Sequence, residues 1–339
     1  MNSSEVADLC LMAYTLHHNK PVILLLILQV VFDVLSIYMI LKFYNSEFVQ
    51  KVMKLMGNDL KLILLTGIFY YIYGITVTLF VYSYKLIISL MNFSPCFYVW
   101  KGLTCYLCYS QFSSAAVLGY SAFHFSLLIE RIYATFYNTN RKHCSILGWI
   151  LTAFMIVAPN FYIFGYSSGA YYVQDDRAYC HSLVTVSSNF NIRALYSTFL
   201  MVAFDLVVTV GDLLLLLYNR WQIARFYSKI ADYNLNRSFR LREMNISMRL
   251  IFPISLAHSI GYTTQLLSVA LYFIIGNVLS TEMEIFTKEI VNFIRTFSIF
   301  GLFFSVHMFG LKHRKQTAEW LQKENATESY FKEFQRIIS

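Results

Sequence analysis

Seven apolar stretches, each long enough to cross a lipid bilayer, constrain this 339-residue chain more than any other feature. They cover residues 21–44, 60–84, 103–129, 145–166, 194–218, 248–275 and 290–311. A spanning helix needs about 20 mostly apolar residues to traverse about 30 Å of hydrocarbon, and a helix in a soluble core is seldom apolar on every side for so long. Composition agrees: 57% of residues are hydrophobic and 14% charged, where soluble domains carry about a quarter charged. The expected fold is all-α, a seven-transmembrane helix bundle. Spans and short loops nearly use up the length, leaving residues 1–20 as an amino-terminal segment, 21–311 as the bundle and 312–339 as a tail.

Ahead of Pro21 stand Glu5, Asp8, His17, His18 and Asn19, without the basic start and apolar run of a cleavable signal peptide. The first span is therefore expected to act as its own insertion signal. Basic residues in short loops stay on the cytosolic side. One set of loops holds Lys42, Lys51, Lys54 and Lys61, then Arg131, Arg141 and Lys142, then Arg220, Arg225, Lys229, Arg237, Arg240, Arg242 and Arg249, and the tail adds Lys312, Arg314, Lys315, Lys323, Lys332 and Arg336. The opposite side has Lys20, Lys85, Lys101, Arg177, Arg193 and Lys288. This asymmetry predicts an amino terminus outside and a cytosolic tail. The net charge of +8 follows from that sidedness and suits anionic inner-leaflet lipids. It comes with no helix-turn-helix or sheet-borne aromatics, so no nucleic-acid partner is expected.

Cys10, Cys96, Cys105 and Cys180 fall on the predicted outer side, where disulfides persist. Four cysteines allow three pairings, and free thiols are the remaining possibility. At about 1.5 Å of rise per residue, Cys105 tops the third span. It is well placed to reach Cys180 in the second outer loop, which leaves Cys10 with Cys96.

Ionisable groups inside spans are costly and so become functional candidates. Here they are Asp33, Asp205, Asp212 and Arg295. Asp205 and Asp212 share one helix face, but two helical turns set them about 10 Å apart, too far for an aspartic-protease dyad at about 3 Å. Interhelical hydrogen bonding by buried aspartates is the simpler account. A transporter or ligand-gated channel could relay through Asp33, Asp205 and Arg295, yet no internal repeat or paired broken span supports one. His124, His258 and His307 sit singly on three different spans, away from metal-ligand spacing. No zinc signature, phosphate loop or nucleophile elbow appears. The sequence predicts no enzyme, no cofactor and no metal site.

The third span closes with Glu130-Arg131-Ile132-Tyr133-Ala134-Thr135. A carboxylate beside a guanidinium at the cytosolic end of an apolar helix can hold the cation inward in one state and release it in another. With this run, Pro95-Cys96 ahead of span three, the stretch from Leu235 to Asn245 and the tail segment Glu328-Ser329-Tyr330-Phe331-Lys332, the chain resembles a G-protein-coupled receptor. More narrowly it is similar to the nematode serpentine chemoreceptors of the alpha superfamily, classes alpha, alpha-beta, beta and epsilon.

That resemblance implies a multi-pass chemosensory receptor of the plasma membrane, in a sensory-neuron cilium, with a small-molecule chemical cue, a heterotrimeric G protein and the lipid bilayer as partners. It implies a switch at Glu130 and Arg131, and an inner coupling face of Arg131, Ile132, Arg240, Arg242 and Arg249. A pocket is expected between the outer halves of spans three, five, six and seven, from Tyr109, Phe112, Ser113, Tyr196, Phe199, Gln265, Tyr272 and Arg295. Span seven reads Ser305-Val306-His307-Met308-Phe309, span two holds no Asp and span six lacks a Trp-x-Pro centre. These departures set the chain apart from the rhodopsin-like pattern. Beyond Leu311, Trp320, Leu321, Tyr330, Phe331, Phe334 and Ile337 among charges suit an amphipathic helix on the inner leaflet.

Overall fold

A computed structural model of the chain describes residues 3–46, 49–50, 53, 56–91, 93–100, 112–136, 146–167, 188–228, 235–275 and 279–308. The long helices are α1 (Ser3–His17), α2 (Lys20–Tyr44), α3 (Asn58–Leu90), α4 (Phe112–Phe136), α5 (Ile146–Ser167), α6 (Ser188–Ser228), α7 (Leu235–Ile275) and α8 (Thr281–Met308). A 3-10 turn, Pro95–Tyr98, lies between α3 and α4. Helices α2 to α8 take up the seven apolar stretches in order, and the fold is all-α as expected.

Local sequence explains the ends. Pro21 stands in the first turn of α2, where a missing N–H costs nothing and the fixed φ suits a helix. The last turn of α3 closes when the Met91 N–H bonds to the carbonyls of Ile87 and Ile88, just ahead of Pro95. Several boundaries differ from the apolar stretches. Helix α3 runs on to Leu90, so Lys85 is not a loop residue: it is fully buried and pairs with Glu289 at 2.8 Å. Lys288 is likewise in α8, paired with Glu284 at 2.5 Å. Helix α7 begins at Leu235, so the stretch through Asn245 is its first part. Hydrophobicity marks where lipid begins, whereas backbone hydrogen bonding carries a helix past that point.

The helices α2, α3 and α8, and α6 over Phe199–Arg225, are each long and apolar enough to cross a membrane. Helices α4 and α7 carry more polar residues, among them Ser121, His124, Ser126, Glu130, Ser255, His258 and Gln265, and bury them. Helix α4 is central, packing against α3, α5, α6 and α7. Leu60, Ile63, Ile75, Leu127, Met155, Ile251 and Val306 belong to its main apolar core. Large apolar side chains also point outward, Leu24, Phe80, Trp149, Leu200, Ile260 and Leu271 among them. A surface of that kind is stable against lipid and not against water.

The α3–α4 seam is set by glycines. A Cβ at Gly67 would collide with the Phe123 ring, and one at Gly74 with the Tyr120 hydroxyl. Rings therefore lie directly on neighbouring backbone, and Tyr71 stacks on Tyr120 with centroids 4.3 Å apart.

The amino-terminal segment, expected only as a tail outside the bundle, forms α1 and packs on the 3-10 turn. Cys10 and Cys96 join the two through a disulfide, with Cα atoms 4.4 Å apart. Tyr98 sits edge-on to Tyr14 and His18. His17 donates from Nδ1 to the Ala13 carbonyl at 2.9 Å, and its Nε2 accepts from Trp100 Nε1 at 3.5 Å. Burial pulls the His17 imidazole down to about 4; the Ala13 bond opposes the shift and nearby Lys85 adds to it. Cys105, Cys180 and the tail 312–339 lie outside the described residues.

Candidate functional site

Arg131 lies near the carboxyl end of α4, at the end of the bundle opposite the disulfide. It is buried with Glu130. Its Nε donates to Glu130 Oε2, and its Nη1 donates to Ser247 Oγ on α7 at 2.6 Å. Ser247 is held in turn by its own bond to the Met244 carbonyl at 2.9 Å. A guanidinium in an apolar bundle needs such partners, because an unpaired buried charge is far costlier than a paired one. Ile132 is part-exposed beside it. The side chains of Arg240, Arg242 and Arg249 lie outside the described residues.

Nearer the other end, a cavity is bounded by α3, α4, α7 and α8. Tyr71, Tyr120, His258, Tyr262, Gln265 and Arg295 supply its polar lining. It is small, about 20 Å³, which is room for water. Two of the residues expected in a pocket, Gln265 and Arg295, do meet here. Arg295 donates from Nη2 to Tyr82 Oη at 3.0 Å, with buried Asp33 among the charges around it. Tyr272 is buried elsewhere, donating to Glu284 at 2.8 Å. Tyr196 and Phe199 are 71% and 46% exposed on the outward side of α6 and do not line the cavity. Each sits in an apolar turn that faces lipid, which composition cannot distinguish from a turn facing the core. Tyr109 and the side chains of Phe112 and Ser113 lie outside the described residues.

Between these two regions, α4, α6 and α7 bring together a polar cluster that sequence spacing does not announce. His124 Nδ1 donates to Asp205 Oδ1 at 2.7 Å. On its other side, His124 Nε2 bonds to Ser255 Oγ, and Ser255 donates to Asp212 Oδ2 at 2.5 Å. His124 is thus engaged through both ring nitrogens, toward Asp205 on one side and toward Ser255 and Asp212 on the other. His258 Nε2 lies 3.4 Å from Asp205 Oδ1, and its Nδ1 pairs with Tyr71 Oη at 2.7 Å. All four titratable side chains are buried.

The two aspartates bond across helices, as the simpler sequence account has it. The histidines correct the expectation that single residues on separate helices carry no joint site: the rings of His124 and His258 are 5.0 Å apart. Metal spacing rules work within one helix or one loop. Here the usable signal is depth, since His124, Asp205 and His258 each stand about midway along their helices. His307 does not join them. Among the described residues, Asp205 Oδ2, Asp212 Oδ1 and His258 Nε2 have no hydrogen-bond partner, and the carboxylate and imidazole atoms of His124, Asp205 and His258 could together hold a metal ion.

Residues 8–339 match the family model described as serpentine type 7TM GPCR receptor class ab chemoreceptor. A comparison with curated proteins finds no match.

Proposed function

The chain belongs to the serpentine class ab family of seven-transmembrane chemoreceptors, and from that premise we propose that it binds a small external cue and activates a heterotrimeric G protein through the Arg131 end of the bundle. The observation that carries this reading is the arginine itself, buried and tied to Glu130 on its own helix and to Ser247 on α7. Such an arrangement has two states. In one, α4 and α7 are latched; in the other, α7 swings off, the guanidinium is freed and a groove opens for a partner helix. A ligand that favours the second state shifts a pre-existing equilibrium.

The cue enters from the disulfide end, toward Gln265, Arg295 and the tyrosines around His258, where the water-sized cavity widens to admit it in the ligand-favoured state. Arg295 suits an anionic cue. The disulfide favours that end being outside, since such bonds persist in oxidising compartments. The basic loops favour the Arg131 end being cytosolic. On this orientation the receptor sits in the plasma membrane of a sensory cell, and Ile132, Arg240, Arg242 and Arg249 meet the G protein.

The test is nucleotide exchange on a co-expressed G protein in cells challenged with a library of small volatile and water-soluble compounds. An active compound is expected to stimulate exchange with the native chain and to fail with Arg131→Ala at equal surface expression. An unchanged response in Arg131→Ala removes the coupling role. A compound-gated current without exchange replaces the receptor reading with a channel.

A further inference from the structure

We propose that His124, Asp205 and His258 form a binding site for a divalent transition-metal ion of the zinc class, buried between α4, α6 and α7. Three observations carry it. The first is convergence: each residue offers one ligand atom, and these atoms all lie within 4.8 Å of one another. The tetrahedral coordination zinc prefers, with bonds of about 2.0–2.1 Å, has edges of about 3.3 Å. The His258 Nε2 to Asp205 Oδ1 separation of 3.4 Å already matches. The His124 Nδ1 to Asp205 Oδ1 separation of 2.7 Å is a hydrogen bond that opens slightly when the shared hydrogen leaves as a proton and the metal takes its place.

The second is that the ligating nitrogen of His258 and one carboxylate oxygen of Asp205 are unused. Among the described residues, His258 Nε2 and Asp205 Oδ2 have no hydrogen-bond partner in a buried setting, where an unmade bond to a polar group is costly. Meanwhile the other nitrogen of each imidazole is already engaged. His258 Nδ1 pairs with Tyr71 Oη at 2.7 Å, and His124 Nε2 lies 3.3 Å from Asp212 Oδ2 and bonds Ser255. Metal-bound histidines almost always have this second partner, which fixes the tautomer and aims the ligating nitrogen.

The third is the kind of donor atom the three residues offer. Two imidazoles and a carboxylate select zinc and its transition-metal neighbours, whereas magnesium and calcium seek oxygen alone.

His258 belongs to both the cluster and the cavity. A metal held by three protein atoms therefore leaves its fourth position to water or to a donor atom of whatever fills that cavity. The metal site stands on the geometry of the three helices and does not depend on coupling to a G protein.

The experiment uses the purified full chain in lipid nanodiscs, stripped with a chelator, incubated with zinc and freed of loose metal by gel filtration. Metal content is then measured by mass spectrometry. About one tightly held zinc per chain is expected, lost in His258→Gln and in Asp205→Asn and kept in His307→Ala. Cobalt substitution is expected to give the intense visible absorption of a tetrahedral site in the native chain. Asp212→Asn, which alters only the partner of His124, is expected to weaken zinc about 10–100-fold in competition with a chromophoric chelator. This variant keeps the question open to test should the ligand variants not fold. Absence of zinc from the native chain overturns the proposal, as does equal zinc in His258→Gln and Asp205→Asn, or an unchanged affinity in Asp212→Asn.

Discussion

Ser247 holds Arg131 from across a helix boundary, and this makes a small hydroxyl a determinant of the resting state. A hydrogen bond to a charged group is worth about 1.5–3 kcal/mol. If Ser247→Ala loses that bond only in the latched arrangement, basal nucleotide exchange rises roughly tenfold while the response to an agonist is retained. Equal basal exchange in the variant and the native chain, at matched expression, would remove Ser247 from the latch. Glu130 and Arg131 were legible in the sequence because neighbours at the end of an apolar run are visible in a line of letters. Ser247 was not, because it is one of many serines in α7 and its significance lies 116 residues from its partner. The same holds for His124 and Asp205, which are 81 residues apart.

At the scale of helices, the α3–α4 seam depends on hydrogen atoms where side chains would otherwise be. Replacing Gly67 with Leu forces a branched group into the Phe123 ring. Overpacking of this kind costs about 1–3 kcal/mol, and the variant is expected to lose thermal stability in detergent. Among the described residues, nothing lies within 4 Å of where a Cβ would stand at Gly301 in α8. Gly301→Ala is therefore expected to hold or raise stability, since alanine favours a helix interior over glycine by about 0.5–1 kcal/mol. Thermal melts followed by size-exclusion chromatography separate the two, and equal melting of both variants would refute the packing account. The order of the seven spans was readable, because seven apolar runs leave few arrangements, whereas α1 was not. Helix ends were less so: polar first and last turns, as at Lys85 and at the start of α7, stay helical after hydrophobicity has faded. Which face of α6 points inward was hidden, since Tyr196 and Phe199 look like core residues and face outward.

As a whole the molecule is a lipid-facing bundle with α1 packed on the 3-10 turn at one end, and that docking is acid-sensitive. His17 is neutral in the folded chain, with its imidazole held down to about 4 by burial, whereas the unfolded segment titrates near about 6.5. Between those values the unfolded form binds the extra proton. Docking of α1 is thus at full strength above about pH 6.5 and weakens progressively as pH falls toward 4, by up to about 1.4 kcal/mol per pH unit. The protection factors of the α1 amides, that is their exchange rates relative to the intrinsic rate at each pH, are expected to fall on acidification, and the dependence to flatten in His17→Phe. A slope unchanged by that substitution would assign the acid response to another group. The sequence showed His17 as one polar residue in a segment without apolar length, and nothing local signalled that a tryptophan and a tyrosine from beyond α3 would cover it.

The bond between Cys10 and Cys96 spans 86 residues, and both α2 and α3 lie within that interval. During biosynthesis Cys96 leaves the ribosome only after those two helices have been made, so Cys10 must wait as a free thiol until then. Oxidation of this pair is therefore a timestamp. Chains stalled after the first span carry a reactive thiol open to quality control, and chains that have placed the third helix do not.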